Sequence, residues 1–135
     1  MKKNILFIVL GIFVAVLLVS ALEFVAGQIF PHPEGMDYNN PEEVKKMMMS
    51  MPAGAFIFMA LSWGIATFAG GFIAGLRSES FPLRNALIVG GIILILTLIN
   101  LISLPHPLWF SVLSLSVLLP AAYLGGKIGM NFRKV

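Results

Sequence analysis

The chain lacks cysteine altogether and has few charged residues. It contains 135 residues, none of them cysteine, and 11% are charged. The absence of cysteine excludes disulfides, thiolate metal sites and a cysteine nucleophile. Globular domains are about 25% charged, so this fraction, with a mean hydropathy of +0.95, indicates a membrane protein.

Sequence patterns typical of catalysis are also missing. There is no glycine-rich phosphate loop, no serine elbow, and no HxxxH or ExxH spacing for a metal. We therefore expect no enzyme activity and no cofactor. The net charge of +3 would suit nucleic acid, but the basic residues stand at the ends of apolar runs. They are better explained as topology signals, and no nucleic-acid partner is expected.

Four apolar segments are long enough to cross a bilayer, which takes about 20 residues of helix. They are residues 5–30, 53–76, 83–104 and 108–128. Inside them the charged residues are Glu23, Arg84 at the very start of the third, and Lys127 at the very end of the fourth. The sequence predicts an all-α membrane protein with one domain over residues 1–135, and lipid as its main surroundings.

The basic residues predict the orientation of these helices. Seven lie on one side: Lys2, Lys3, Arg77, Arg84, Lys127, Arg133 and Lys134. Two, Lys45 and Lys46, lie on the other. By the positive-inside rule, both termini are cytoplasmic in a bacterial inner membrane, and residues 31–52 form an outer loop.

The first helix has a competing interpretation as a secretory signal. Residues 1–21 have a basic start, an apolar stretch and a small-residue ending. The apolar run nevertheless continues to Phe30, which makes it long enough to span. We expect a retained helix. Cleavage would leave three helices in the same orientation.

A Pro-His-Pro tripeptide occurs twice, at residues 31–33 and 105–107. Each follows an apolar segment, so the four helices are predicted to form two hairpin repeats. The flanking prolines remove two backbone donors and favour an extended residue between them, so each tripeptide is interpreted as a helix-ending corner. A zinc site using His32 and His106 is the less favoured alternative, because two further ligands are not evident.

The second and fourth segments carry small residues at helical spacing, including two GxxxG pairs. Such stripes let helix backbones approach closely in lipid. The glycines concerned are Gly64, Gly71, Gly75, Gly125 and Gly129. We expect them to pack against another helix, including one from a second copy, which predicts a homodimer or a larger membrane complex.

The outer loop contains its own helix signals. Asn40 suits an N-cap, Pro41 suits the first helical position, and acidic residues follow. Residues 41–50 are predicted to form a short interfacial helix. Four methionines follow its start: Met47, Met48, Met49 and Met51. We interpret them as an apolar surface facing lipid or a partner, with copper(I) binding as the alternative.

Glu23 is the residue that most needs a physical reason. An ionised carboxylate within the hydrocarbon costs about 2.5–3.5 kcal/mol, so it should face the bundle. Polar residues at similar depth form a candidate pocket: Ser62, Thr97, Asn100, Ser111 and Ser114, with His32 and His106 at the rim. Glu23 is then a proton or cation carrier, or it is a hydrogen-bonded clasp whose expected partner is Asn100.

Three stretches carry a resemblance to small bacterial four-helix membrane proteins. They are ALEFVAGQIFPHPEGMDYNNPEE, PAGAFIFMALSWGIATFAGGFIAG and NLISLPHPLWF. The resemblance implies an inner-membrane bundle. The chain is also similar to small multidrug transporters in size and in a first-helix glutamate, although its first loop is longer. The expected function is a non-enzymatic structural or accessory subunit, and the alternative is a small proton- or cation-coupled permease using Glu23.

Overall fold

The computed structural model describes residues 2–133, without the side chain of Lys2, so Met1, Lys134 and Val135 lie outside it. This part of the chain forms five helices and no strand. They are α1 Lys2–Ile29, α2 Pro41–Ser50, α3 Ala53–Arg77, α4 Pro82–Ser103 and α5 Leu108–Phe132. All except α2 are long and apolar enough to cross a membrane. The prediction of an all-α protein with four helices long and apolar enough to span is confirmed for these residues, which indicates a small multi-pass membrane protein.

The helix ends differ from the predicted spans by a few residues. α1 starts three residues earlier and α5 runs four residues further, because the end of an apolar run does not by itself end a helix. α2 has the predicted bounds, and its cap is as expected: the Asn40 side chain accepts a hydrogen bond from the Glu42 amide at 3.1 Å. Its position at a membrane interface, and the two hairpin repeats, stay predictions.

α3 and α4 form the centre of the bundle, with α1 and α5 on opposite flanks. α3 packs against the other three spans and most extensively against α5, while α4 also contacts all three. Within residues 2–133, no Cα of α1 lies within 8 Å of a Cα of α5. We call the end with residues 30–52 and 104–107 the loop end, and the opposite end the termini end.

The termini end is held by polar side chains. Asn4 of α1 accepts a hydrogen bond from the Glu79 amide at 3.1 Å and donates to the carbonyl oxygen of Ser80 at 3.3 Å. Asn85 of α4 donates to the Ser78 hydroxyl at 2.6 Å, and Arg133 donates to the Ser78 carbonyl oxygen. The start of α1 and the residue that follows α5 therefore both contact the α3–α4 turn at this end of the bundle.

The glycine stripes of α3 and α5 pack against each other. A Cβ atom added at Gly71 would lie 2.5 Å from the carbonyl oxygen of Ala122. The other stripe glycines are also crowded by α5 or α3: Gly75 by the backbone of Gly126, Gly125 by that of Phe68, Gly129 by that of Phe72, and Gly64 by the Val117 side chain. We call this contact the glycine seam. Since both stripes are covered within one chain, they give no support to a second copy, and the homodimer stays a prediction.

A second close approach holds α1. A Cβ atom at Gly11 would lie 2.6 Å from the carbonyl oxygen of Gly70 in α3 and 3.2 Å from a methyl group of Val89 in α4. Gly11 is nearer the termini end of α1 than its loop end. The bundle is therefore tightest toward the termini end.

Candidate functional site

A cavity of about 300 Å³ occupies the loop end, between the spans and α2. Its polar groups come from α1, α3, α4 and the two loops: Glu23, Ser62, Trp63, Asn100, His32, Tyr38 and His106. Its apolar wall includes Phe30, Val44, Met47, Met48, Met51, Met59 and Leu104. The structure thus brings together five of the residues that the sequence grouped around Glu23: the carboxyl group itself, Ser62, Asn100 and both histidines.

Glu23 is held by a tryptophan. The indole Nε1–H of Trp63 donates a hydrogen bond to Oε1 of Glu23 at 2.9 Å. Trp63 is buried on α3, the helix against which α1 packs most. Asn100, the expected partner, lines the same cavity from α4, but the hydrogen bond comes from Trp63. An indole can only donate, so the carboxyl oxygen accepts whether Glu23 is ionised or protonated.

A groove between α1 and α4 continues from this cavity. Glu23, Trp63 and Asn100 border both spaces, and the groove adds Ser20 and Thr97. Its other walls are Val16, Val19, Ile93 and Leu96. Thr97 therefore belongs to the same polar region as Glu23, although it does not line the main cavity.

Ser111 and Ser114 lie elsewhere. They belong to α5, on the flank opposite α1, and line neither the cavity nor the groove. Both satisfy their hydroxyl groups within their own helix, Ser114 through Phe110 at 2.8 Å and Ser111 through Pro107 at 3.3 Å. The position of a residue along its helix predicts its depth in the membrane. It does not predict on which side of the bundle that helix lies.

The two histidines have different surroundings. His32 is exposed and meets Tyr38 edge to face, with ring centroids 6.4 Å apart. His106 is partly buried and stacks on Phe110 at 5.1 Å, with Phe56 on another side at 6.4 Å. This burial lowers the pKa of His106 and favours the neutral ring.

His106 also has a defined tautomer when it is neutral. Its Nδ1 lies 3.0 Å from the carbonyl oxygen of Leu104. A carbonyl oxygen only accepts, so Nδ1 must carry the proton and Nε2 keeps its lone pair. The described residues contain no group of three or more His, Asp or Glu side chains that converge on a metal. Among these residues, His32 and His106 therefore lack the further His, Asp or Glu ligands that a zinc site would need.

Met47 and Met48 of α2, and Met51 directly after it, face the bundle. Met48 is 4% exposed, and Met47 and Met51 pack against the hydrophobic core, whereas Met49 is 77% exposed. The expectation of a surface facing lipid or a partner is thus wrong for three of the four. Val44, also buried, lies one turn before Met48 and fixes which side of α2 turns inward.

α2 contacts the bundle through side chains and not through close backbone approach. No Cα atom of α2 lies within 8 Å of a Cα of any other described helix. Long, unbranched methionine side chains suit such a gap because they adapt to irregular apolar surfaces. The thioethers of Met47, Met48 and Met51 therefore form the roof of the cavity at the loop end. Met59 of α3 adds a fourth thioether to the cavity wall.

Some lining residues were not part of the predicted pocket. Trp63, Tyr38 and the methionines contribute a hydrogen-bond donor, a phenol and the roof. Trp63 did carry a signal, because a buried indole N–H inside an apolar span needs an acceptor, and Glu23 is the acceptor at that depth. The direction of the methionines depends on how α2 docks, which no local pattern specifies.

Comparisons of the chain with known protein families, with curated proteins and with solved structures find no match. Its function is therefore inferred from the chemistry of the cavity. The cavity contains one carboxyl group that accepts a hydrogen bond from a neutral donor, two imidazoles, an amide and a roof of thioethers.

Proposed function

We propose that this chain binds a cation at Glu23 and moves it across the membrane as a small proton- or cation-coupled permease. The observation that carries the proposal is the cavity that reaches Glu23 from the loop end. A structural glutamate would be packed dry against its partner, whereas this carboxyl group borders a space of about 300 Å³.

The charge of Glu23 supports a cationic ligand. Among the described residues, one ion pair is formed, between Lys3 and Glu79 at the termini end. No described basic side chain therefore forms an ion pair with Glu23. Its hydrogen bond from Trp63 engages Oε1 and comes from a neutral group. An uncompensated carboxylate within a span costs about 2.5–3.5 kcal/mol, which a bound cation or proton would offset.

The packing supports access from one side at a time. The glycine seam and the contact between Gly11 and Gly70 close the bundle toward the termini end, while the cavity lies at the loop end. In the proposed orientation, with cytoplasmic termini in a bacterial inner membrane, this is an outward-facing state. Release to the inside then requires the helices near Gly11 to separate.

The second candidate is a non-enzymatic structural or accessory membrane subunit. The hydrogen bond between Trp63 and Glu23 favours it, because this bond joins α3 to α1. In that case the carboxyl group serves as a clasp, and its negative charge is not needed.

Proteoliposomes separate the two candidates. Purified protein is reconstituted with a pH-sensitive dye inside, and a panel of organic cations is added outside. The Glu23→Gln variant is the matched control, because its amide oxygen still accepts from Trp63 while the charge is gone. We expect proton flux driven by at least one cation with the native protein and none with Glu23→Gln.

Two results contradict the permease. One is native protein that moves neither protons nor organic cations, and the other is equal flux through Glu23→Gln. Thermal unfolding of both proteins in mild detergent should be alike, which shows that a loss of flux is not a loss of fold.

A further inference from the structure

We infer that the loop end also carries a binding site for a soft monovalent metal ion, copper(I) or silver(I). Its ligands are the thioether sulfurs of Met48 and Met51 and the Nε2 atom of His106. These ligands do not include the carboxyl group of Glu23, which lines the same cavity. The inference therefore goes beyond the proposed permease and does not depend on it.

The three side chains lie together at the loop end. Met48, Met51 and His106 border the main cavity, and all three also border a neighbouring pocket whose walls include Phe56 and Trp109. Residues that line both spaces belong to the wall that the two spaces share. Met48 of α2, Met51 directly after α2 and His106 of the α4–α5 turn therefore lie on one shared wall.

His106 is oriented as a metal ligand. Histidines that bind metals usually donate their second ring N–H to a backbone carbonyl or a carboxylate, which fixes the tautomer. Here Nδ1 lies 3.0 Å from the carbonyl oxygen of Leu104, so Nε2 keeps the free lone pair. Stacking on Phe110 at 5.1 Å further fixes the plane of the ring.

The donor set selects the class of metal. Thioethers are soft, neutral ligands that favour copper(I), whereas magnesium, calcium and manganese favour carboxylates and carbonyls. No cluster of three His, Asp or Glu side chains competes for a harder ion in residues 2–133. Met47 and Met59 line the same cavity and can supply a further sulfur.

The competing explanation is that the methionines only fill space. Met48 is 4% exposed, and a buried thioether packs well whether or not it binds a metal. Leucine has a similar volume, and such exchanges usually cost less than about 1.5 kcal/mol in stability. Replacing methionine with leucine therefore removes the sulfur and largely keeps the packing.

The test measures copper(I) affinity under anaerobic conditions by competition with a chromogenic copper(I) chelator, using purified full-length protein in nanodiscs. We expect one copper(I) per chain in the native protein. The Met48→Leu/Met51→Leu double variant should bind at least about tenfold more weakly, a loss that removing even an outer-shell partner can cause. His106→Phe, which keeps an aromatic ring beside Phe110, should weaken binding in the same way.

Two controls make the result specific. Met49→Leu changes the same residue type on the same helix as Met48. Met49 is 77% exposed, borders the neighbouring pocket but not the main cavity, and is not a proposed ligand, so affinity should not change. Glu23→Gln should also bind as the native protein does, because the proposed metal ligands exclude Glu23. A negative result in the permease test would therefore not contradict the metal site, and a negative result in the metal test would not contradict the permease.

X-ray absorption of the copper(I) complex should show sulfur together with a nitrogen neighbour. The inference is overturned if native protein binds no more tightly than the double leucine variant, or if Met49→Leu weakens binding equally. A first shell of oxygen and nitrogen alone, or loss of binding in Glu23→Gln, would equally place the ion elsewhere and overturn it.

Discussion

Trp63 donates its indole N–H to the carboxyl group of Glu23 across 2.9 Å, which joins α3 to α1 at the floor of the cavity. The donor is neutral, so it orients the carboxyl group without cancelling its charge. The Glu23 side chain keeps this orientation whether it is ionised or protonated, because a carboxyl oxygen accepts in both states. A fixed carboxyl group that can change its charge suits a binding site for cations.

Removing the indole donor should destabilise the protein. Trp63→Phe is expected to lower the free energy of unfolding by about 0.5–1.5 kcal/mol from the lost hydrogen bond, with a further loss from reduced packing. Thermal unfolding in mild detergent measures the change. Trp109→Phe is the matched control, since Trp109 is 45% exposed. Equal shifts in the two variants would mean that the Trp63 hydrogen bond contributes nothing.

Adding one methyl group in the glycine seam should be costly. In Gly71→Ala the new Cβ would lie 2.5 Å from the carbonyl oxygen of Ala122, so the helices must separate. We expect a loss of about 1–3 kcal/mol, as for other overpacked sites. Gly91→Ala is the control, because outside its chain neighbours and the adjoining backbone of α4 no described atom lies within 4 Å of its Cβ position. Alanine there should stabilise α4 by about 0.5–1 kcal/mol.

The same pair of variants distinguishes packing within one chain from packing between chains. Because the seam joins α3 and α5 of one chain, the loss in Gly71→Ala should not vary with protein concentration in detergent. A loss that shrinks as the protein is concentrated would instead place these glycines between two copies.

The polar contacts at the termini end should differ in strength. Asn4 is buried and bonded to the Glu79 amide and the Ser80 carbonyl oxygen, so Asn4→Ala should cost about 1–3 kcal/mol. Lys3 and Glu79 form an exposed ion pair at 2.9 Å, so Glu79→Gln should change thermal stability little. Comparable losses would contradict this ranking.

Acid should weaken that ion pair in a defined direction. The hydrogen bond and the charge of Lys3 hold the pKa of Glu79 below its usual range. As the pH falls, Glu79 is therefore protonated in the unfolded chain before it is protonated in the folded protein. Its small contribution to the free energy of unfolding is present above the ordinary glutamate pKa and is lost as the pH falls below it. Thermal unfolding between about pH 6 and pH 3 should show a slightly smaller decline for Glu79→Gln than for the native protein.

The orientation can be tested by cysteine labelling, because the native chain has no cysteine background. A membrane-impermeant thiol reagent added to intact cells should modify Asp37→Cys and Ser103→Cys at the loop end. It should leave Ser80→Cys unmodified until the cells are opened, because the basic residues place that end in the cytoplasm. Labelling of Ser80→Cys in intact cells would reverse the orientation.

The sequence predicted the helices well because their signals are local. The length of each apolar run defined the four spans, and Asn40 with Pro41 defined the start of α2. The depth of Glu23, Ser62 and Asn100 also followed from their positions along the helices. These three side chains do line one cavity.

What the sequence did not predict depends on which helices are neighbours. Ser111 and Ser114 have the right depth, but α5 stands on the flank away from α1. Glu23 is bonded to Trp63 instead of Asn100 because α1 packs more closely on α3 than on α4. These facts arise from packing between distant segments, which periodicity along one helix does not contain.

The separation of α1 from α5 has a consequence for biosynthesis. α3, α4 and α5 contact one another pairwise, so they form a closed three-helix unit against which α1 is docked. α1 is synthesised first, yet its docking surface needs Gly70 and Val89, which enter the bilayer later. Since chains are inserted from the N-terminus onward, α1 must wait in lipid as a lone helix. From Ile5 to Ile29 the one charged residue of α1 is Glu23, so α1 is stable in lipid before the other helices are inserted.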